Sequence, residues 1–212
     1  MRVYDLSHFI ANDMPVYPGT EAPSITTAFT LAENGFVEKK ISLYSHTGTH
    51  LDAPYHLITG GKMLHAYPPE WFWGPALVLD VSHTSQGMIN KKDLLMYQPQ
   101  LQKVDFCLLF TGWSQYWGQS AYFSRYPTLT SAAATWLTSF TLKGIGVDAI
   151  SVDDIDSLST SIHKVFLQKE MVIIENLTNL AALIGQPFDF SCFPLKLKEA
   201  DGSPIRAVAI QE

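Results

Sequence analysis

A mixed α/β fold, richer in strand than in helix, is what the sequence predicts, and three observations predict it. Four short apolar or β-branched runs, at residues 76–81, 106–111, 144–147 and 171–175, are each bounded by turn or helix signals, the pattern of strands buried on both faces. Helical spacing is confined to few, separated segments. No repeat, linker or low-complexity tract interrupts the chain, so 212 residues with 47% apolar and 16% charged content read as one domain, 1–212, long enough to bury a core.

Taken in order, residues 3–6, 25–29 and 38–44 are strand-like, and the first of the four buried runs follows at 76–81. Residues 91–95 open a helix with Asp93 in its first turn, where a carboxylate favours the N-terminal dipole. The run at 106–111 is the second buried strand. Residues 131–140 carry Ala, Trp, Leu and Phe at helical spacing after a Ser/Thr start, which predicts a helix. The strands at 144–147 and 171–175 come next, and the tail at 193–210 adds further strand-like pieces.

Bulk chemistry excludes several function classes. A net charge of -6 and the lack of any Lys/Arg cluster argue against nucleic acid as a partner. No leader pattern opens the chain and no apolar run reaches the ~18 residues of a membrane span, so a cytoplasmic protein is expected, without a membrane partner. Cys107 and Cys192 sit among apolar neighbours and are expected to be buried free thiols.

The chemistry concentrates in eleven residues, His46-Thr47-Gly48-Thr49-His50-Leu51-Asp52-Ala53-Pro54-Tyr55-His56, which hold three of the seven histidines. Pro54 disfavours a helix interior, and His46, His50, Asp52 and His56 share one parity along an extended chain. A straight strand would still hold His46 and His50 ~13 Å apart at ~3.3 Å per residue, too far for ligands of one ion. The chain must bend, and Gly48 is the residue that tolerates a positive φ, with Thr47 and Thr49 expected to hold the bend by local hydrogen bonds. Imidazole and carboxylate donors without a nearby thiolate suit Zn²⁺, Mn²⁺ or Fe²⁺ and leave positions open for water. The bland alternative, four polar loop residues satisfied by hydrogen bonds, would leave a costly buried cluster of His and Asp.

This run resembles the signature His-x-Gly-Thr-His-x-Asp-x-Pro-x-His of the cyclase family that includes bacterial kynurenine formamidases and isatin hydrolases. The likeness extends through Tyr4-Asp5-Leu6-Ser7, Pro15-Val16-Tyr17-Pro18-Gly19, Thr111-Gly112-Trp113, Gly146-Val147-Asp148 with Ser151 and Asp153, Ile173-Ile174-Glu175-Asn176-Leu177, Pro194 to Lys198, and Asp201-Gly202-Ser203-Pro204-Ile205-Arg206-Ala207. The resemblance implies a swivelling β/β/α fold, a homodimer or homotetramer, and one or two divalent ions per subunit, zinc first and manganese second. It implies His46, His50, Asp52, His163 and Glu175 as metal ligands, His56 as the proton carrier and Tyr17 as a substrate contact. Glu rather than Gln at position 175 resembles the two-metal members, with Asp52 and Glu175 as the bridging carboxylates.

Read on their own, His163 follows a Ser/Thr stretch and passes equally for a helix-start or loop histidine, while Glu175 ends an apolar run where an unpaired carboxylate is expensive to bury. Phe9, Trp113, Trp71 and Trp73 are expected in core or interface rather than in a pocket, and His65 and His83 as surface or structural residues. The implied activity is hydrolysis of a small-molecule C–N amide bond, most specifically that of N-formyl-kynurenine. Alternatives are hydrolysis of a cyclic imide, an isatin-like lactam or a lactone, cyclisation or dehydration on the same centre, or a non-catalytic metal or small-ligand binding protein.

Overall fold

The computed structural model describes residues 1–84 and 87–211. Its strands are β1 (Arg2–Asp5), β2 (Ser24–Phe29), β3 (Glu38–Ser42), β4 (His50–Asp52), β5 (Trp73–Asp80), β6 (Met88–Ile89), β7 (Phe106–Phe110), β8 (Thr128–Leu129), β9 (Gly144–Val147), β10 (Val172–Glu175), β11 (Phe188–Ser191), β12 (Gly202–Pro204) and β13 (Val208–Gln211). Among the described residues, five short α-helices accompany them: α1 (Leu31–Asn34), α2 (Lys91–Leu94), α3 (Gln98–Leu101), α4 (Ser131–Leu137) and α5 (Ser161–Leu167). The expected strand-rich α/β class is what the chain adopts.

Nine strands form one mixed sheet in the order β1-β13-β11-β5-β7-β9-β10-β4-β12. The centre, β5-β7-β9-β10, is parallel, and antiparallel pairs complete both sides. Alternation along these strands sorts their side chains onto two faces. Leu79, Cys107, Leu109, Ile145, Val147 and Ile173 face one core with Ala133, Leu137, Ile162 and Phe166 of α4 and α5. Val78, Phe106, Leu108, Val172 and Ile174 face the other, which Leu51, Phe72, Leu180 and Phe190 fill. Parallel strands covered on both faces explain why the sequence shows them as continuous apolar runs.

Among the described residues, β2 and β3 pair only with each other and form an arm whose residues are almost all exposed. Cys107 and Cys192 are buried and free, as expected, and burial raises both thiols far above their usual range. Among the described residues, no helix is long and apolar enough to cross a membrane.

Candidate metal centre

β4 is only three residues long, yet it lies between β10 and β12 with Glu175 directly opposite His50 and Gly202 directly opposite Asp52. His50 and Asp52 share a face by alternation, so the cross-strand partner Glu175 joins them there. The turn before β4 is the bend that the spacing demands, with Gly48 at φ +66°. It returns His46 to Asp52, Nδ1 to Oδ1 at 2.6 Å. The Gly48 carbonyl accepts from Asn176 Nδ2 (2.9 Å) and from His50 Nδ1 (2.8 Å), which places the His50 proton on Nδ1 and turns Nε2 toward Asp52 Oδ1 (3.3 Å) and Glu175 Oε2 (3.5 Å). The bend is therefore held from outside. Thr49 does not bond locally as expected: its hydroxyl donates to the Asn176 carbonyl (2.6 Å) and accepts from the His8 N–H (2.9 Å).

The second half of the site comes from the loop after β9 and from α5. Asp153 caps this helix in place of a local side chain: Oδ1 accepts from the Ile162 N–H (2.9 Å), and Oδ2 from the N–H (3.0 Å) and Nδ1 (2.7 Å) of His163. That fixes the ring, and Nε2 of His163 faces Glu175 Oε1 at 3.2 Å and Asp52 Oδ2 at 3.6 Å. Glu175 Oε1 also accepts from the Val152 N–H (3.1 Å). Asp52 and Glu175 thus each present separate oxygens to two or more imidazoles.

Four of these groups, His50, Asp52, His163 and Glu175, are buried, and burial of charge requires compensation. Burial opposes protonation of His46, but Asp52 at one nitrogen and Asp201 at the other (2.9 Å) outweigh it and push the imidazole up to about 10. His163 is raised for the same reason, since Asp153, Asp52 and Glu175 overcome its burial. Asp52 stays ionised against complete burial because His46, His163 and His50 surround it. Protons on His46 and His163 are here the countercharge for the buried carboxylates. His56 differs: burial depresses its pKa, leaving a neutral ring able to accept a proton near neutral pH.

Every site residue expected from the sequence meets at one cavity of about 580 Å³: His46, His50, Asp52, His56, His163, Glu175 and Tyr17 all line it. Tyr17 is half exposed on its wall, and its hydroxyl donates to the Ile155 carbonyl at 3.1 Å. Phe9, Trp113, Trp71 and Trp73 are not among the lining residues. Sequence reasoning missed Tyr44, which adds a second aromatic wall, Asn176, which holds the bend, and Asp201, which contacts His46 and His56. Tyr44 could have been suspected from standing two residues before His46; Asn176 and Asp201 lay inside quoted motifs without an assigned role.

The donor set fits divalent ions. His46, Asp52 and His56 can each offer one atom within 4.8 Å of the others, as can His50, Asp52 and Glu175, and the groups share Asp52. Oxygen and nitrogen donors with no thiolate suit a hydrolytic ion. Fold and centre together define the class, a metal-dependent hydrolase.

The chain belongs to the Cyclase family, which it matches over residues 4–154. It is 32% identical over 205 residues to a kynurenine formamidase of Bacillus thuringiensis (strain Al Hakam), covering 96% of this chain and 95% of that one. Among solved structures it is similar to isatin hydrolase A from Ralstonia solanacearum (TM-score 0.87, 26% identity, 98% of this chain and 91% of that chain). A predicted metal-dependent hydrolase from Bacillus stearothermophilus gives a TM-score of 0.80 at 28% identity, with 98% and 97% covered.

Proposed function

We propose that this chain hydrolyses a small-molecule amide, most specifically as an arylformamidase that converts N-formyl-kynurenine and water to kynurenine and formate. The observation that carries this reading is one cavity lined by His46, His50, Asp52, His163 and Glu175, the ligands that the family resemblance implies, together with the neutral His56. The likeness to a kynurenine formamidase along 96% of the chain supports the substrate.

When bound, one or two divalent ions, zinc first and manganese second, would acidify water and polarise the amide carbonyl. The separate oxygens that Asp52 and Glu175 turn to the imidazoles favour two ions. His50 and His163 would hold them through Nε2, since their Nδ1 atoms are committed to Gly48 and Asp153. His56, whose side chain is 30% exposed against 4% for His50 and 8% for His163, takes the proton from water and returns it to the leaving nitrogen. Tyr17 and Tyr44 offer apolar faces to an aryl group. A lactam of the isatin kind in the same cavity is the second reading, supported by the likeness to isatin hydrolase A.

The test is turnover of N-formyl-kynurenine by protein loaded with Zn²⁺ or Mn²⁺, beside His56→Ala at equal metal content. We expect metal-dependent turnover that falls by about 10²-fold or more in the variant. Full activity in His56→Ala would remove His56 from the mechanism, and loss of metal in that variant would make it a ligand instead. Absence of turnover with N-formyl-kynurenine but hydrolysis of isatin would favour the second reading.

A cytoplasmic homodimer or homotetramer is the assembly we propose. Its support is the arm formed by β2 and β3, which leaves Phe29, Phe36, Val37 and Ile41 exposed.

A further inference from the structure

Asp201 belongs to none of the ligand groups, yet it touches two of the histidines. Its Oδ2 lies 2.9 Å from His46 Nε2 and 3.4 Å from His56 Nδ1, and the two rings are 4.0 Å apart between centroids. The backbone fixes it in place. The Asp201 carbonyl accepts from the Ala53 N–H at 2.8 Å, and Gly202 follows in register with Asp52. A Cβ at Gly202 would stand only 2.6 Å from His46 Cε1, so the glycine is what allows His46 and Asp201 to meet.

A carboxylate is an acceptor only, so the nitrogen of His56 that faces Asp201 is the one that carries hydrogen. A neutral imidazole has one N–H and one free nitrogen, and a carboxylate on Nδ1 selects the tautomer with Nε2 free. We propose that Asp201 is the positioning residue for His56, holding its ring beside His46 with Nδ1 protonated and Nε2 open to receive a proton. This rests on the reading of His56 as the proton carrier. The carboxylate also stabilises the imidazolium that His56 becomes between the two proton transfers, the role an orienting acid plays in hydrolytic triads. The competing role, support of His46 alone, predicts a different outcome at each step below.

The experiment uses the full chain as wild type, Asp201→Asn, His56→Ala and the double variant. Long-range ¹⁵N imidazole spectra of the metal-free wild type come first and need no activity. We expect His56 with Nδ1 protonated and Nε2 free, and a mixture of tautomers in Asp201→Asn. A free Nδ1 in the wild type would overturn the proposal even if the variant failed to fold.

At saturating Zn²⁺, Asp201→Asn should lower kcat by about 10- to 100-fold with little change in KM. The double variant should then be no slower than His56→Ala, because a residue that acts through another adds nothing once that one is gone. Losses that multiply, or a fall in Zn²⁺ affinity with the His56 signals unchanged, would assign Asp201 to His46 instead. An inactive wild type with the expected spectra would defeat the substrate assignment and leave the role of Asp201 standing.

Discussion

At the end of β9, Asp148 is wholly buried and accepts from the Thr111 N–H (2.8 Å), the Thr111 hydroxyl (2.5 Å) and the Gly112 N–H (2.9 Å). Burial outweighs these bonds and raises its pKa to about 6. Asp52 is as deeply buried but ringed by three histidines, and it stays ionised. The contrast separates a scaffold carboxylate from a site carboxylate. Because the folded pKa of Asp148 stands above its ordinary value, the folded protein keeps this proton longer than the unfolded chain does. Its contribution to stability is therefore full below about pH 4 and lost as pH rises to about 6, roughly 3 kcal/mol in total. Denaturant unfolding of wild type and Asp148→Asn across pH 4 to 7 should show that slope in the wild type and its absence in the variant. Equal slopes would assign the dependence to other groups.

Elements whose signals are local were legible, and those made by distant partners were not. β7, β9 and β10 lie within a residue of the expected runs, because burial on both faces writes itself as an unbroken apolar string. α4 ends at Leu137, three residues short of the expected limit. α5 was not expected as an element: a Ser/Thr stretch precedes it, Thr160 adopts φ +46°, and its cap is Asp153, eight residues before the first helical turn. β12 is Gly-Ser-Pro, which reads as a turn and becomes a strand by pairing with β4. The same rule governs the site. His46, His50, Asp52 and His56 stood out as one run, whereas His163 and Glu175 were reached by resemblance, since their meeting depends on the pairing of β4 with β10. For the arm, sedimentation should give twice or four times 23.6 kDa, and Phe36→Asp with Val37→Asp should lower that mass toward the monomer. A wild-type monomer would sink the assembly proposed for it.

Across the whole molecule, the ion binding proposed for the centre would be coupled to the sheet, since the candidate ligands lie on β4, β10, α5 and the turn before β4. An ion bound to the folded chain alone stabilises it by about 2.7 kcal/mol at a hundredfold excess over Kd. For a chain of this length each kcal/mol moves Tm by about 2–4 °C, so chelation should lower Tm by about 5–11 °C. A Tm indifferent to chelator and to added Zn²⁺ would count against ion binding at the buried cluster. The loss should be larger at high pH, where His46 and His163 give up the protons that serve as countercharge without ions.

β1 completes its edge of the sheet against β13, Asp5 opposite Val208, and β4 needs β10, Glu175 opposite His50. A ribosome that adds about 5–20 residues per second would need roughly 10–40 s between making the two strands of the first pair. Until residues 163 and 175 are made, the eleven-residue run would stand without the imidazole and acid that complete its centre. An ion that needs all five candidate ligands would accordingly enter only after Glu175 has been made and paired with His50.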